Sequence, residues 1–176
     1  MRVGFNLLFI RFLAAIGLVT APLIANANVG DVDLKAVYLF RFALLADWQE
    51  SGIATDHIDY CVAQTSDVAI RLEAIVAAKP KTARFHKLFD DVHPEVCHIL
   101  FVEHGDAAFI ADLHVQYPHA LLVGNGVDFV ASGGMIAFIK VRNRIRPLVS
   151  RKNVEKTNIL LRSQLLEVSE IYEETT

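Results

Sequence analysis

The sequence lacks the short motifs that mark most enzymes and nucleotide-binding proteins. Gly124 and Gly126 are not joined by the third glycine of a dinucleotide fingerprint, and the pair Gly133-Gly134 is not followed by the lysine of a phosphate-binding loop. No serine lies in the nucleophile motif of α/β-hydrolases. The seven histidines are scattered, and His93 and His98 do not have the spacing of metal ligands on a helix. We therefore expect no catalytic residue, no metal and no cofactor.

Positive charge is also scarce. Lys and Arg number 17 against 20 Asp and Glu, and the formal net charge is −3. This mild acidity argues against a general binder of nucleic-acid backbones, because such proteins carry an excess of basic residues. We therefore expect no nucleic-acid partner.

The first 27 residues have the plan of a secretory signal peptide. Arg2 and Arg11 supply positive charge, residues 12–24 are almost wholly apolar, and Ala25-Asn26-Ala27 is a small-x-small cleavage site. The alternative is a membrane anchor, in which Arg11 would lie within the span at a cost of about 2.5–3.5 kcal/mol. We expect residues 1–27 to be removed on export to the periplasm and residues 28–176 to form one domain that does not insert into the membrane.

The two cysteines, Cys61 and Cys97, both lie in the part that we expect to be exported. In an oxidising compartment such a pair is typical of a disulfide, and the alternative is two buried free thiols. A cross-link between them would close a loop of 97 − 61 = 36 positions. Neither cysteine has a CxxC partner, so thioredoxin-like or metal chemistry is not indicated.

The exported part alternates between predicted strands and helices. Apolar runs predict strands at 58–63, 96–102 and 120–123, an alternating segment predicts a short outer strand at 84–88, and helical periodicity predicts helices at 67–78, 106–117 and 163–172. This order predicts the α/β class, as a single-domain sandwich with a mixed, mostly parallel central sheet flanked by helices.

A C-terminal antiparallel hairpin is predicted over residues 133–149. Gly133-Gly134 lead into an apolar strand, Asn143 turns the chain, and a second strand runs over residues 144–149. Pro147 cannot donate to a ladder, so the second strand is expected at an edge of the sheet. Ser150 then stands where it can cap a helix over residues 151–157.

Residues 34–48 predict a helix with nearly two apolar rows, where an ordinary surface helix has one. Deep burial is one explanation, and contact with another chain is the other. Under the second interpretation, Tyr38, Phe40, Arg41 and Trp48 form a face for a partner or for a homodimer.

Two loops follow the predicted carboxyl ends of buried strands, where parallel sheets bind ligands. The first offers Glu103, His104 and Asp106, and the second offers Asn125 and Asp128. These side chains are candidates for a small-ligand site. They are also ordinary turn residues, and Asp106 is an ordinary helix cap.

An ordered set of segments resembles the YfiR-like family over essentially the whole exported part. The segments are Leu34–Phe42 with Trp48, Cys61-Val62, Cys97–Val102, Leu122–Asn125 with Phe129, Gly133–Phe138 and Leu165-Leu166. No single segment decides the resemblance, and their shared order is what makes it specific.

The resemblance implies a periplasmic α/β protein that regulates and does not catalyse. The best-understood type of member represses a membrane-bound diguanylate cyclase by binding its periplasmic part, and its release under envelope or redox stress raises cyclic di-GMP and favours biofilm. The resemblance also implies a homodimer, and it implies that Cys61 and Cys97 form the family's structural disulfide.

Some positions depart from the family's pattern. Arg41 and Ala137 stand where members often have Asn, Gln49 stands where they often have Pro, and Asn158 replaces a common glycine. Because a binding face can change while a core persists, these departures bear on the identity of the partner and leave the expected fold intact.

Overall fold

The computed structural model describes residues 27–90 and 93–174. The expected signal peptide, residues 1–27, lies outside the described residues except for Ala27. Six helices are described: α1 (Ala27–Leu45), α2 (Asp67–Ala77), α3 (Ala107–Gln116), α4 (Gly126–Ala131), α5 (Arg151–Val154) and α6 (Ser163–Val168). Nine strands accompany them: β1 (Ala46–Asp47), β2 (Ile58–Val62), β3 (Ala83–Lys87), β4 (Ile99–Phe101), β5 (Leu121–Asn125), β6 (Ile136–Val141), β7 (Arg144–Val149), β8 (Leu160–Leu161) and β9 (Glu170–Ile171).

Seven strands form one mixed sheet in the order β3-β2-β4-β5-β6-β7-β9. Every neighbouring pair is parallel except β6 and β7, which form the antiparallel hairpin. Helices α2, α3 and α4 provide the connections that parallel neighbours require. Strands β1 and β8 form a separate antiparallel pair. The predicted α/β class, with a mostly parallel central sheet and a C-terminal hairpin, is confirmed.

The apolar core is divided between the two faces of the sheet, because alternate residues of each strand point to opposite sides. Leu39 and Phe42 of α1 and Leu72 of α2 pack on one face. Ile110 of α3 and Phe129 of α4 pack on the other. The continuous apolar runs of β4 and β5 arise from this double burial.

The Gly133-Gly134 pair is explained by local geometry. Gly133 has a φ of 110°, a conformation that other residues rarely adopt. A Cβ on Gly134 would lie 2.1 Å from Cε1 of Phe129, so only glycine lets this ring pack against the entry to β6. Gly124 has the same role on β5, where a Cβ would lie 2.5 Å from Phe129 Cδ2. Gly124 and Gly134 therefore allow the backbones of β5 and of the entry to β6 to approach the Phe129 ring closely.

The turn and the cap of the hairpin segment also follow the prediction. Arg142 and Asn143 both have positive φ, 48° and 62°, as a two-residue hairpin turn requires. Ser150 Oγ accepts a hydrogen bond from the Asn153 amide and caps α5. The predicted helix over residues 151–157 is shorter than expected, since α5 ends at Val154.

The chain ends differ most from expectation. Helix α1 stops at Leu45, before Trp48, because the next two residues pair with β8. The C-terminal helix was predicted to reach residue 172 but ends at Val168. Strand β9 then pairs with Leu148 and the residue after it, so β7 lies at an edge only in its first part, which includes Pro147.

Candidate functional site

The outer side of α1 presents an exposed apolar row. Leu34, Val37 and Leu44 are all exposed, Leu44 to 66%, and Arg41 is exposed between them. Their spacing of three, four and three residues places them on one side of the helix. The opposite side is fully buried against the sheet. The helix therefore has one apolar side that the chain itself covers and a second apolar side that is exposed.

Two residues of the predicted partner face, Tyr38 and Phe40, lie at the border between the two sides of α1. Tyr38 stacks on Phe42, with ring centroids 5.9 Å apart. Phe40 stacks on Tyr60 at 5.4 Å, and its carbonyl accepts a hydrogen bond from the Tyr60 hydroxyl. Both side chains are half-buried, so their outer edges adjoin the exposed row.

Trp48 does not belong to this surface. It is 1% exposed, and its Nε1 donates a hydrogen bond to the carbonyl of His119. Its ring also meets the His98 ring edge-on, with centroids 5.3 Å apart. The expectation that Trp48 contributes to an accessible face is corrected, because the chain turns inward where α1 ends. Leu34, Val37 and Leu44 were missed as face residues, although their heptad-like spacing was a usable signal.

A polar cluster lies at the carboxyl edge of the parallel strands. Asn125, at the end of β5, donates to Glu103 Oε1 at 3.2 Å and accepts from Lys35 Nζ at 2.7 Å. Gln64 accepts a hydrogen bond from the Glu103 amide. Glu103 Oε2 is buried without a hydrogen-bond partner among the described residues. A buried carboxylate oxygen without a donor is costly, so it is the atom of this cluster that a bound ligand or water would stabilise.

The other predicted loop residues do not join this cluster. Asp106 accepts from the Phe109 amide and caps α3, as the alternative interpretation held. Asp128 is exposed in the first turn of α4, a helix that sequence reasoning did not find after Gly126. The His104 side chain is exposed. The structure therefore brings together two of the five predicted ligand-loop residues, Glu103 and Asn125, and adds Lys35 and Gln64 from elsewhere.

The cysteine pair forms a disulfide between β2 and the segment that enters β4. Cys61 and Cys97 are bonded, with Cα atoms 5.8 Å apart, and both side chains are buried. The sequence was also compatible with two free thiols, and the structure shows a disulfide instead. Its burial in the core of the α3 and α4 face indicates a structural role.

Beside the disulfide, a buried carboxylate is held by basic side chains. Asp59 is 4% exposed, and it accepts hydrogen bonds from Arg84 at 2.9 and 3.0 Å and from His86 at 2.8 Å. Burial by itself raises the pKa of Asp59. The hydrogen bond from His86 and the Arg84 guanidinium lower the pKa by more than burial raises it, so the net pKa lies well below its usual range. Sequence reasoning missed this cluster, because its residues come from neighbouring strands.

His98 belongs to the same region but has a different role. Its Nδ1 accepts the Asp59 backbone N–H at 3.0 Å, and its Nε2 lies 2.9 Å from the Ala54 carbonyl. An accepting Nδ1 requires the neutral ring with its proton on Nε2, which then donates to Ala54. The Asp59 carboxylate lies 3.5 Å from Nδ1, but an Nδ1 without a proton cannot donate a hydrogen bond to it. His98 therefore links the segment that enters β4 to Asp59 of β2 and to Ala54, which precedes β2.

Among residues 27–90 and 93–174, no group of three or more His, Cys, Asp and Glu side chains is placed to hold a metal ion. No helix in the same part of the chain is both long enough and apolar enough to cross a membrane.

A family model described as YfiR/HmsC-like matches residues 32–170. The match extends over most of the chain, from the first turns of α1 to the start of β9. The chain belongs to the YfiR/HmsC-like family. No curated protein matches it. Residues 32–45 of α1, both cysteines and the hairpin lie within the part that matches the YfiR/HmsC-like pattern.

Proposed function

We propose that this protein is a periplasmic regulator, not an enzyme, which modulates a membrane-bound signalling protein of the diguanylate cyclase type by direct contact. The observation that carries the proposal is the exposed row of Leu34, Val37 and Leu44 on α1, a row that lies within the YfiR/HmsC-like match. Membership of the family supports a regulatory function, and the exposed row is a surface that a partner protein can contact.

The energetics of the row favour its use as an interface. Contiguous exposed apolar side chains on a folded protein commonly mark contact sites for other proteins. The half-buried rings of Tyr38 and Phe40 border the row and extend its apolar area. Aromatic residues and arginine are enriched at the interface positions that contribute most to the binding free energy. Arg41 is therefore compatible with the middle of such a surface.

Arg41 also bears on the choice of partner. It stands within the row where other members often have Asn, and it is exposed. A charge in an apolar interface selects partners that can pair with it and disfavours those that cannot. A partner of this protein is therefore expected to place an acidic or carbonyl group opposite Arg41.

The proposal is tested by a double variant, Val37→Asp with Leu44→Asp, in cells that also contain the membrane diguanylate cyclases with periplasmic domains. The wild type should copurify with one cyclase and lower cellular cyclic di-GMP. The variant should weaken copurification at least about tenfold, since it places two charges in the contact. Val115→Asp is the control, because Val115 is 83% exposed on α3, away from the row.

Two outcomes would count against the proposal. If the wild type neither binds any cyclase nor changes cyclic di-GMP, the regulatory function is wrong. If the wild type does both and the double variant still does so, the function stands but the α1 row is not its contact surface. Circular dichroism of both variants checks that the fold is retained.

The same row can also hold a second copy of the chain, and the proposed homodimer uses it in this way. Sedimentation analysis should then show a dimer for the wild type and a monomer for the Val37→Asp, Leu44→Asp variant. A dimer that survives both substitutions would place the self-contact elsewhere.

A second candidate function is the binding of a small polar ligand at the carboxyl edge. The unpartnered Glu103 Oε2 favours it, since that oxygen is buried beside the Asn125 and Lys35 side chains. A thermal-shift screen of metabolites, nucleotides and metal ions should find a compound that stabilises the wild type and fails to stabilise Glu103→Gln. Asp106→Ala is the control, because it removes a helix cap without touching the cluster. A flat response to all compounds would remove this function.

A further inference from the structure

The outer end of the β6–β7 hairpin carries three arginines around one open cleft. Arg142 lies in the turn, and Arg144 and Arg146 are two residues apart on β7. With Val141 and Glu170 they line a cleft of about 640 Å³. The chain as a whole is mildly acidic, so this concentration of positive charge is a local feature of the hairpin.

Only one of the three arginines has an acidic partner within the described residues. Arg146 forms an ion pair with Glu170 of β9. Arg142 and Arg144 form no ion pair with any acidic side chain in residues 27–90 or 93–174. The cleft therefore contains about two uncompensated positive charges, which attract an anion at ordinary ionic strength.

The opposite face of the same hairpin differs. Strand alternation and the pairing of Val141 with Arg144 place Arg144 and Arg146 on one face and Lys140 on the other. Lys140 is neutralised there by Asp31 at 2.9 Å. On the cleft side, same-face residues of β7 are separated by about 7 Å, which lets neighbouring guanidinium groups converge on one ligand group.

We infer that Arg142, Arg144 and Arg146 form a binding site for a phosphate group, carried either by an anionic phospholipid or by a free phosphate compound. Guanidinium groups present rigid forks of N–H donors that match phosphate oxygens in pairs. A carboxylate has two oxygens and one charge, and Glu170 already supplies one carboxylate to Arg146. A phosphate has more acceptor oxygens and up to two charges, so it can satisfy the remaining donors together.

The test measures binding of the full chain to inorganic phosphate and pyrophosphate by calorimetry. A second arm measures cosedimentation with phosphatidylglycerol–phosphatidylcholine vesicles against vesicles of phosphatidylcholine alone. Arg144→Gln should weaken binding about tenfold or more, because it removes a charge-assisted pair. Arg144→Lys should be intermediate, because it keeps the charge and loses the fork. Glu170→Gln should strengthen binding, since it frees Arg146 and removes a competing carboxylate.

Lys140→Gln is the matched control, because it removes one positive charge from the other face of the hairpin. It should change binding by no more than about twofold. Binding to the anionic vesicles alone identifies the lipid source, and binding to phosphate or pyrophosphate alone identifies the free source. The inference is overturned if neither arm shows binding, if Lys140→Gln weakens binding as much as Arg144→Gln, or if a glutamate-rich peptide binds more tightly than pyrophosphate.

Discussion

The two faces of the central sheet are covered in different ways. One is covered by the long helix α1 and by α2, and its core is continuous apolar packing in which Phe42 stacks on Phe138 at 5.9 Å. The other is covered by the shorter helices α3 and α4, and it contains the disulfide and, by strand alternation from Cys61, the buried carboxylate of Asp59. The packing of the first face is stabilised mainly by buried apolar area. The packing of the second face is stabilised in addition by the disulfide and by buried hydrogen bonds.

The difference follows from helix length. A helix of 19 residues buries enough side chains to dock mainly by apolar contact, and its other side remains exposed. A helix of six residues, as α4 is, buries little and needs fixed bonds to its neighbours. Asn153 provides two of them, to the carbonyls of Val130 at 2.9 Å and Gly134 at 2.8 Å.

The largest expected effect is on the apolar face. Phe42→Ala should lower the free energy of unfolding by about 3–5 kcal/mol, because it removes a fully buried ring and leaves a cavity. Urea denaturation measures the change. Phe89→Ala is the control, since Phe89 is half exposed and its loss should cost about 0.5 kcal/mol or less. Equal losses would show that the α1 face is not packed as described.

The next effect is on the bonded face. Replacing both Cys61 and Cys97 by Ser should lower the free energy of unfolding by about 3–4 kcal/mol, because the unfolded chain then regains the entropy of a loop closed over 36 positions. Urea denaturation of the variant and of wild type with and without reductant measures it. The reduced wild type should resemble the variant. If reduction leaves the free energy of unfolding unchanged, the disulfide does not stabilise the second face.

A smaller effect is expected from Asp59→Asn, about 1–3 kcal/mol at neutral pH, because the buried side chain at this position no longer offers a charged acceptor to Arg84 and His86. The pKa of Asp59 is lower in the folded chain than its ordinary value of 3.8, so its contribution is present above that pH and is lost as the pH falls below it. Wild-type stability should therefore fall more steeply with acid than that of Asp59→Asn.

Chemical denaturation at a series of pH values from neutral to strongly acidic checks this prediction. Asp33→Asn is the control, because its ion pair with Arg71 is half exposed and should contribute less than about 1 kcal/mol. Parallel pH curves for wild type and Asp59→Asn would contradict the cluster's role.

The smallest effect on stability is expected on the outer side of α1. Leu44→Ser should change the free energy of unfolding by no more than about 0.5 kcal/mol, since Leu44 is exposed. Urea denaturation of a dilute sample measures this. The same substitution should weaken partner binding, which separates a surface kept for contact from a surface needed for folding. A large loss of stability would instead place Leu44 in the core.

Much of the fold follows from local sequence patterns. Strand β2, helix α2 and strand β7 lie within one residue of their predicted bounds, because apolar runs, helical periodicity and turn residues are local signals. Strand β4 is shorter than its apolar run, since Cys97 and His98 are engaged in the disulfide and in the bonds to the β2 segment. The two-residue strands β1, β8 and β9 are too short to have a period and were not predictable.

The candidate sites were less predictable, because they combine residues that are distant in the chain. Glu103 and Asn125 were found from their places after buried strands, but Lys35 reaches Asn125 from a helix 90 residues earlier. Asp59 and Arg84 meet through the parallel pairing of β2 and β3. Neither combination leaves a local pattern.

The sequence by itself determined the order of the longer strands and helices, the place of the hairpin and the unusual apolar content of α1, since each depends on neighbours within a few residues. It did not determine which side of α1 remains exposed. Both rows have helical spacing, and only the position of the sheet decides that Leu39 and Phe42 are covered while Leu34 and Leu44 are not. Tertiary packing likewise decided that Trp48 turns into the core, because its hydrogen bond to His119 joins distant parts of the chain.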